Sequence, residues 1–338
     1  MWQAASVNIA VIGLGLIGGS ILQGLAASGR HRLLAFDADP AVRATARDAA
    51  ARARAGGRWQ VTATIRDAAA GAELVVLAVP LTAIDNALDA LVSGGFSGII
   101  TDVTSVKGTV RDAVADRLSR AASPVAGFIG GHPMAGREIS GFGASDPKLF
   151  TGCAWVLCLD DPVALDDWLT VADLVTELGA RVVPVTTEEH DRAVAIVSHV
   201  PHLVASALAA SAADDLVALT LAAGSFRDST RVALSRPDLV AAMSGGNVTA
   251  VRAALDGLRE RLDEAARCLE QRDPAKAIRD WALEGHEARM AWPPDPGRPQ
   301  QVPAEAETLL RLGRAGGWIT TVAPDRRTVT GFLPVRQT

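Results

Sequence analysis

The sequence predicts an α/β domain built on a parallel sheet, then an all-α dimerisation domain, then a short C-terminal extension. Three observations carry that expectation. Over the first half of the chain, short β-branched runs alternate with helix-like stretches, the pattern of parallel strands joined by crossover helices. After about residue 185 the strands stop and long apolar helices follow, of a length that suits a dimer. A chain of 338 residues with 49% hydrophobic content is also long enough for two packed cores.

In chain order, VNIAVI (7–12), RLLAF (32–36), LVVLAV (74–79), GIITDV (98–103) and PVAGFIG (124–130) read as strands bounded by Gly, Pro or Asp. PAVRATARDAAARARA and VKGTVRDAVADRLSR read as helices between them. CAWVLCL (153–159) and ARVVPV (180–185) flank a further helix and are expected to extend the same sheet, closing a first domain of residues 1–185. Thr186 and Glu189 have capping-box spacing and open a long helix to about Ala213. Pro201 removes a backbone donor inside that helix and predicts a kink. NVTAVRAALDGLRERLDEAARCLEQ and PAKAIRDWALEGHEARM continue the helical domain, 186–291. Residues 292–303 hold five prolines and read as an extended linker. The rest of the extension, 292–338, has a short helix, AETLLRL, and a hairpin of WITTV and TVTGF. So small a piece must dock on something.

Lysine and arginine number 33 against 38 acidic residues, a net charge of −5, which argues against a nucleic-acid or membrane-surface partner. An anionic substrate would have to be met by locally placed arginines. No signal-peptide pattern precedes the first strand, and the apolar run 9–25 is broken by glycines and polar residues, so it is no membrane span. Cys153, Cys158 and Cys268 are an odd count without paired spacing, which predicts reduced thiols in a cytoplasmic protein and no metal site.

Gly13-Leu14-Gly15-Leu16-Ile17-Gly18 follows the first strand and opens a helix, and Asp37 ends the second strand. In that context the glycine turn is a dinucleotide fingerprint and the domain is Rossmann-type. Gly13 permits the tight turn, Gly15 lets the backbone approach a pyrophosphate, and Gly18 allows close helix–strand packing. The helix N-terminus, at Leu16 and Ile17, offers N–H donors and a partial positive charge to the phosphates. Asp37 is placed to bond the ribose hydroxyls and repel a 2′-phosphate, which selects NAD over NADP. The crevice beyond the strand C-termini brings in Val79, Pro80 and the residues from Asp102 to Ser105.

A dehydrogenase on this frame needs a base for a hydroxyl proton. His132, in the glycine-rich loop GGHPMAG (130–136), is expected at the sheet's C-terminal edge and is the candidate. Ser105 tops another strand; it donates to the same substrate oxygen or, with Thr104, caps the next helix. His199 and His202 share a helix face beside Pro201, as the floor of a site or as packed interfacial histidines. His190, in the first turn of that helix, reads as solvated. The polar segment from Ala223 and Gly224 to Arg231 offers Arg227 or Arg231 to a substrate carboxylate, or to ordinary surface salt bridges.

Together these segments resemble the prephenate dehydrogenase family, the prephenate, arogenate or cyclohexadienyl dehydrogenases of tyrosine biosynthesis. The resemblance runs in order through GLGLIGGS (13–20), AVP (78–80), TDVTSVKG (101–108), GGHPMAGRE (130–138), EEHDR (188–192), SHVPH (198–202) and GSFRDSTR (224–231). It implies a Rossmann domain followed by a helical dimerisation domain, a homodimer, and NAD-dependent oxidative decarboxylation of prephenate to 4-hydroxyphenylpyruvate. His132 then resembles the acceptor for the substrate hydroxyl and Ser105 the serine beside it. His202 resembles a pocket-lining histidine, Arg231 the carboxylate-binding arginine, and Glu138 and Asp228 acidic residues that order the pocket. Val240 stands where relatives often have tryptophan. Arogenate is the alternative substrate, and a non-catalytic NAD sensor the alternative of another class. Since every candidate site residue precedes Trp292, the extension is expected to be dispensable for the chemical step.

Overall fold

A computed structural model describes residues 6–53, 59–118, 126–136, 139–160 and 163–335. Its contacts divide the chain into two units, each taken here by itself: residues up to His190 with Arg298–Leu333, and Asp191–Gly297 with the residues from Pro334 on.

The elements run β1 (Asn8–Ile12), α1 (Leu16–Ser28), β2 (Arg32–Phe36), α2 (Pro40–Arg52), β3 (Gln60–Val61), α3 (Ile65–Ala69), β4 (Leu74–Leu77), α4 (Ile84–Ser93), β5 (Ile99–Asp102), α5 (Gly108–Leu118), β6 (Gly127–Ile129) and β7 (Gly131–Pro133). Then come β8 (Ala154–Cys158), α6 (Leu165–Glu177), β9 (Arg181–Val185), α7 (Thr187–Val194), α8 (Val200–Ser211), α9 (Leu216–Leu221), α10 (Gly224–Thr230) and α11 (Pro237–Gly245). The chain closes with α12 (Val248–Leu269), α13 (Pro274–Met290), β10 (Asp295–Pro296), β11 (Gln300–Pro303), α14 (Ala306–Arg314), β12 (Trp318–Val322), β13 (Thr328–Phe332) and β14 (Pro334–Val335).

In the first unit six strands pair in parallel in the order β3-β2-β1-β4-β5-β6. Strand order reverses beside β1, so the crevice beyond the C-termini of β1 and β4 is the place for a ligand. The central strands are apolar at successive positions because both faces are covered. Ile9, Val11 and Leu74 pack on one side, while Ala10, Ile12 and Val75 pack on the other.

The later strands do not extend this sheet, contrary to the sequence expectation. After β6 the chain passes Gly130 and enters β7, the edge of a second six-stranded sheet ordered β11-β13-β12-β9-β8-β7. The run 124–130 is therefore left at its end for another sheet, and its first two residues lie outside the described residues. Apolar periodicity marks a strand but not its partner, which is why the two sheets read as one.

The C-terminal segment completes the second sheet. β12 meets β9 at Ile319 and Val182, and β13 pairs antiparallel with both β12 and β11. Leu309, Leu312, Ile319 and Val329 join the same core as Ile9, Trp155 and Trp168. The expected helix and hairpin are present and docked. The separate extension with a linker over 292–303 is not, because β11 within it is a ladder strand.

In the second unit, the part of α7 from Asp191 on runs through a π-helical turn over Ala195–His199 into α8. Pro201 has no N–H to offer the carbonyl one turn back, and the irregularity it causes is this wider turn. The unit's own core is small: Ala195, Val200 and Val251 with Leu203, Leu255 and Leu258 around them. Large apolar side chains stay exposed, Leu234 at 85%, Leu216 at 77% and Met290 at 70% among them, more than a lone helical unit normally shows to water. By length and composition alone, the stretch Thr187–Ser211 is also apolar enough to cross a membrane.

Candidate active site

The glycine turn is built as its residue types require. Gly13 sits at φ +95°, and a Cβ there would stand 2.4 Å from the Ala78 carbonyl oxygen; a Cβ at Gly18 would stand 1.9 Å from the oxygen of Gly13. At Gly15 nothing lies within 4 Å, and no side chain caps α1, so the N–H groups at Leu16 and Ile17 open onto space. This is the cradle a pyrophosphate fits. Val79 lies against Gly13, with Pro80 next in the chain. The Asp37 carboxylate accepts the Leu14 N–H at 2.7 Å and the Asp39 N–H at 2.8 Å, which fixes it beside the turn with lone pairs to spare for a ribose.

Asp102 needs correction as a cofactor contact. It is fully buried, and its oxygens accept the Thr104 N–H at 3.0 Å, the Gly131 N–H at 3.1 Å and the Lys107 ammonium. Lys107, also fully buried, donates in addition to the Gly131 carbonyl at 2.6 Å. The pair staples the β5–α5 loop, which carries Ser105, to the residue before His132. Ser105 and Thr104 do not cap α5, which begins only at Gly108; the Thr104 hydroxyl instead lies 2.6 Å from the Asp102 carboxylate and 2.9 Å from the Val106 carbonyl.

His132 stands on the short strand β7 and not in a loop, opposite Val156 of β8. Gly131 allows this placement, since a Cβ there would come within 2.5 Å of the Asp102 carbonyl oxygen. The His132 Nδ1 lies 2.8 Å from Nε2 of His190, the rings meeting edge to face at 5.1 Å between centroids. His190 is 1% exposed, so the expectation of a solvated residue is wrong. The signal was in the capping box. Thr186 N–H donates to Glu189 Oε2 at 2.9 Å and Glu189 N–H to Thr186 Oγ1 at 3.2 Å, which makes His190 the fourth helical residue. That position faces back across the cap toward the interior.

The first turn of α7 is held from several sides. Thr187 donates its N–H and hydroxyl to Asp160, at 2.8 and 2.5 Å. Arg111 of α5 pairs with Glu188 at 2.5 Å, and that bond raises the guanidinium's already high pKa. Burial pulls the Glu189 carboxyl up, but the Thr186 N–H and Arg314 outweigh it and hold it below the ordinary carboxylate value. Nearby, burial pushes the Cys158 thiol far up, which makes it inert. A cavity of about 230 Å³ beside Arg66, Gly71, Gly94 and Phe96 opens at the opposite edge of the first sheet, away from these groups.

In the second unit, His202 Nδ1 lies 3.1 Å from the Val232 carbonyl, which can only accept, so that nitrogen carries the hydrogen of the bond. The bond ties α8 to the short turn Arg231–Leu234, bringing Arg231 and His202 into one neighbourhood. His199 is wholly buried, with the Asn247 amide nitrogen 3.4 Å from its Nδ1. Gly224 opens α10, and Asp228 on that helix is exposed and pairs with Arg227 at 3.3 Å. Glu138 lies outside the described residues.

Comparison with known proteins gives a consistent picture. Residues 27–184 match the family model for the prephenate dehydrogenase nucleotide-binding domain, and residues 186–280 match that for the prephenate dehydrogenase dimerization domain. The cyclohexadienyl dehydrogenase of Zymomonas mobilis is 32% identical over 256 residues, 74% of this chain and 84% of that protein. The crystal structure of Synechocystis arogenate dehydrogenase is similar at a TM-score of 0.73 and 26% identity, over 84% of this chain and 99% of that one. That of prephenate dehydrogenase from A. aeolicus, in complex with hydroxyphenyl propionate and NAD+, is similar at a TM-score of 0.73 and 25% identity, over 86% and 98%.

Proposed function

Because the chain belongs to the prephenate dehydrogenase family, we propose that it is a cytoplasmic, homodimeric, NAD-dependent prephenate dehydrogenase that forms 4-hydroxyphenylpyruvate and CO₂. The observation that carries the reading is the pair formed by His132, on the strand that follows the nucleotide-binding sheet, and His190, in the first turn of α7. Bound at the glycine turn through Gly13, Gly15, Leu16, Ile17 and Gly18, with Asp37 on its ribose and Val79 and Pro80 alongside, NAD supplies the acceptor for the hydride that leaves C4. A neutral imidazole has one N–H. If His132 Nδ1 donates it to His190, His132 Nε2 keeps a lone pair and takes the C4 hydroxyl proton. His190 thus sets the tautomer that makes His132 a base. Ser105, on the stapled loop, donates to the same oxygen. Loss of the ring carboxylate as CO₂ is driven by aromatisation. Arg231 pairs with a substrate carboxylate, His202 lines the pocket, and Asp228 and Glu138 order it.

The exposed apolar side chains of the second unit and its match to a dimerization domain support the homodimer. They also account for the apolar character of Thr187–Ser211 without a membrane. Arogenate dehydrogenase is the second reading, favoured by the similarity to the Synechocystis enzyme. NADH or NADPH formation with purified prephenate and arogenate, each with NAD and NADP, separates them. Fastest turnover with prephenate and NAD is expected. Turnover of arogenate alone selects the second reading, and none with either substrate overturns both.

A further inference from the structure

The segment Arg298–Leu333 lies beyond the matched family domains, the second of which ends at residue 280, yet within the first unit it reaches Glu189, the residue before His190. Its strand β12 occupies the edge of β9, the strand that leads directly into α7. Its helix α14 lies on the end of that same strand so closely that a Cβ at Gly313 would stand 1.7 Å from the Pro184 oxygen. Glycine is required there to let two backbones touch. The next residue, Arg314, donates Nε–H to Glu189 Oε1 at 2.6 Å. Glu189 Oε2 meanwhile accepts the Thr186 N–H and closes the helix cap. One carboxylate is thus shared between the cap of α7 and the C-terminal segment, and the residue after it is His190.

We propose that the C-terminal segment positions the histidine pair, with Arg314 and Glu189 as its positioning residues, a role that rests on reading His132 as the proton acceptor. The contact between two imidazoles is directional and weakens steeply as its angle degrades, so the pair depends on how the first turn of α7 is set. Asp160 and Arg111 hold that turn at Thr187 and Glu188, and Arg314 holds it at Glu189, next to the histidine. The Arg314 and Glu189 side chains are 43% and 19% exposed, a setting in which an ion pair adds little to stability. Removing the arginine therefore changes placement more than folding. Besides the two imidazoles, the charged groups on the packed elements include, among the described residues, the Asp102–Lys107 pair at Gly131, the Arg111–Glu188 pair, Asp160, Arg181 on β9, and Asp191 and Arg192 on α7.

The test uses the full-length protein with Arg314→Ala and Arg314→Lys. Titration of the His132 and His190 imidazoles by NMR is read beside the pH profile of kcat/KM, the NAD dissociation constant and Tm. In Arg314→Ala the NMR titration curves of the two imidazoles are expected to move measurably from those of the wild type, since coupled sites titrate as a pair. kcat is expected to fall about 3- to 10-fold, a fraction of what a full misplacement of reacting groups costs. NAD binding and Tm should stay at the wild-type values, and Arg314→Lys should recover most of kcat. Unmoved imidazole titrations overturn the proposal whatever kcat does, and so does a loss of kcat matched by a loss of NAD binding. A wild-type kcat/KM profile without a histidine limb would instead remove the reading of His132 as base, while the titrations would still decide whether the segment sets the pair.

Discussion

In the proposed mechanism the contact between His132 and His190 decides the chemistry, because the nitrogen that donates determines which nitrogen is left to accept. The His132 side of that bond was legible in part: the glycines before it mark a close backbone approach, which Gly131 makes to Asp102, but the expected loop is the strand β7. The His190 side was not, because burial of a first-turn residue follows from the cap geometry and from the sheet packed below it. Lys107 was missed for a similar reason, although Lys107, Lys148 and Lys276 are the chain's only lysines among many arginines. A compact ammonium kept at one loop position is the signal that such a buried pair leaves. Lys107→Met strands the Asp102 carboxylate in the interior and is expected to cost about 3–5 kcal/mol in urea unfolding, as broken buried pairs do. A loss below about 1 kcal/mol would mean that Asp102 is neutral or solvated. In the proposed reading Asp37 acts by charge. Asp37→Ser with an arginine introduced nearby should relax a strong preference for NAD, whereas equal kcat/KM with NAD and NADP in the wild type would contradict its assigned role.

At the scale of elements, the first sheet follows from its sequence because each strand is a short apolar run between punctuating residues, and parallel strands need their helices. The second sheet escaped because β7 has three residues, too few for any period, and β9 finds β12 only through a segment far away in the chain. The cap of α7 was legible in Thr186 and Glu189, and it now carries more than helix stability. Glu189 has a folded pKa below its ordinary 4.5, since the Thr186 N–H and Arg314 outweigh burial. The unfolded chain then binds the proton more tightly. The stabilisation is present in full above 4.5 and is lost as pH falls through the lower folded value. Glu189→Gln should therefore be less stable than wild type at neutral pH and converge with it in acid. An equal difference in urea unfolding at both pH values would show that the charge is not what Arg314 and the cap recognise.

On the scale of the whole molecule, the C-terminal segment was legible as a helix and a hairpin, but not as part of the first unit, since no local pattern names a distant partner. Ile319, Val329, Leu309 and Leu312 are buried in that unit's core. At about 1.5–3 kcal/mol for each such side chain, their loss rivals the whole stability of a domain. Truncation before Arg298 is expected to unfold the first unit or lower its Tm sharply, and a truncated protein melting with the wild type would contradict that. Turnover by the intact enzyme is read in the kcat–pH profile of wild type beside His132→Asn. A base must be neutral to accept the C4 hydroxyl proton, so wild-type kcat should fall on the acid side near the ordinary histidine value of about 6.5. His132→Asn keeps a polar side chain of similar reach but takes no proton at neutral pH. It should lower kcat by about 10²–10⁴-fold and abolish the acid limb, with substrate binding changed much less. A His132→Asn enzyme that keeps more than about a tenth of wild-type kcat, with the acid limb intact, would place the base on another residue.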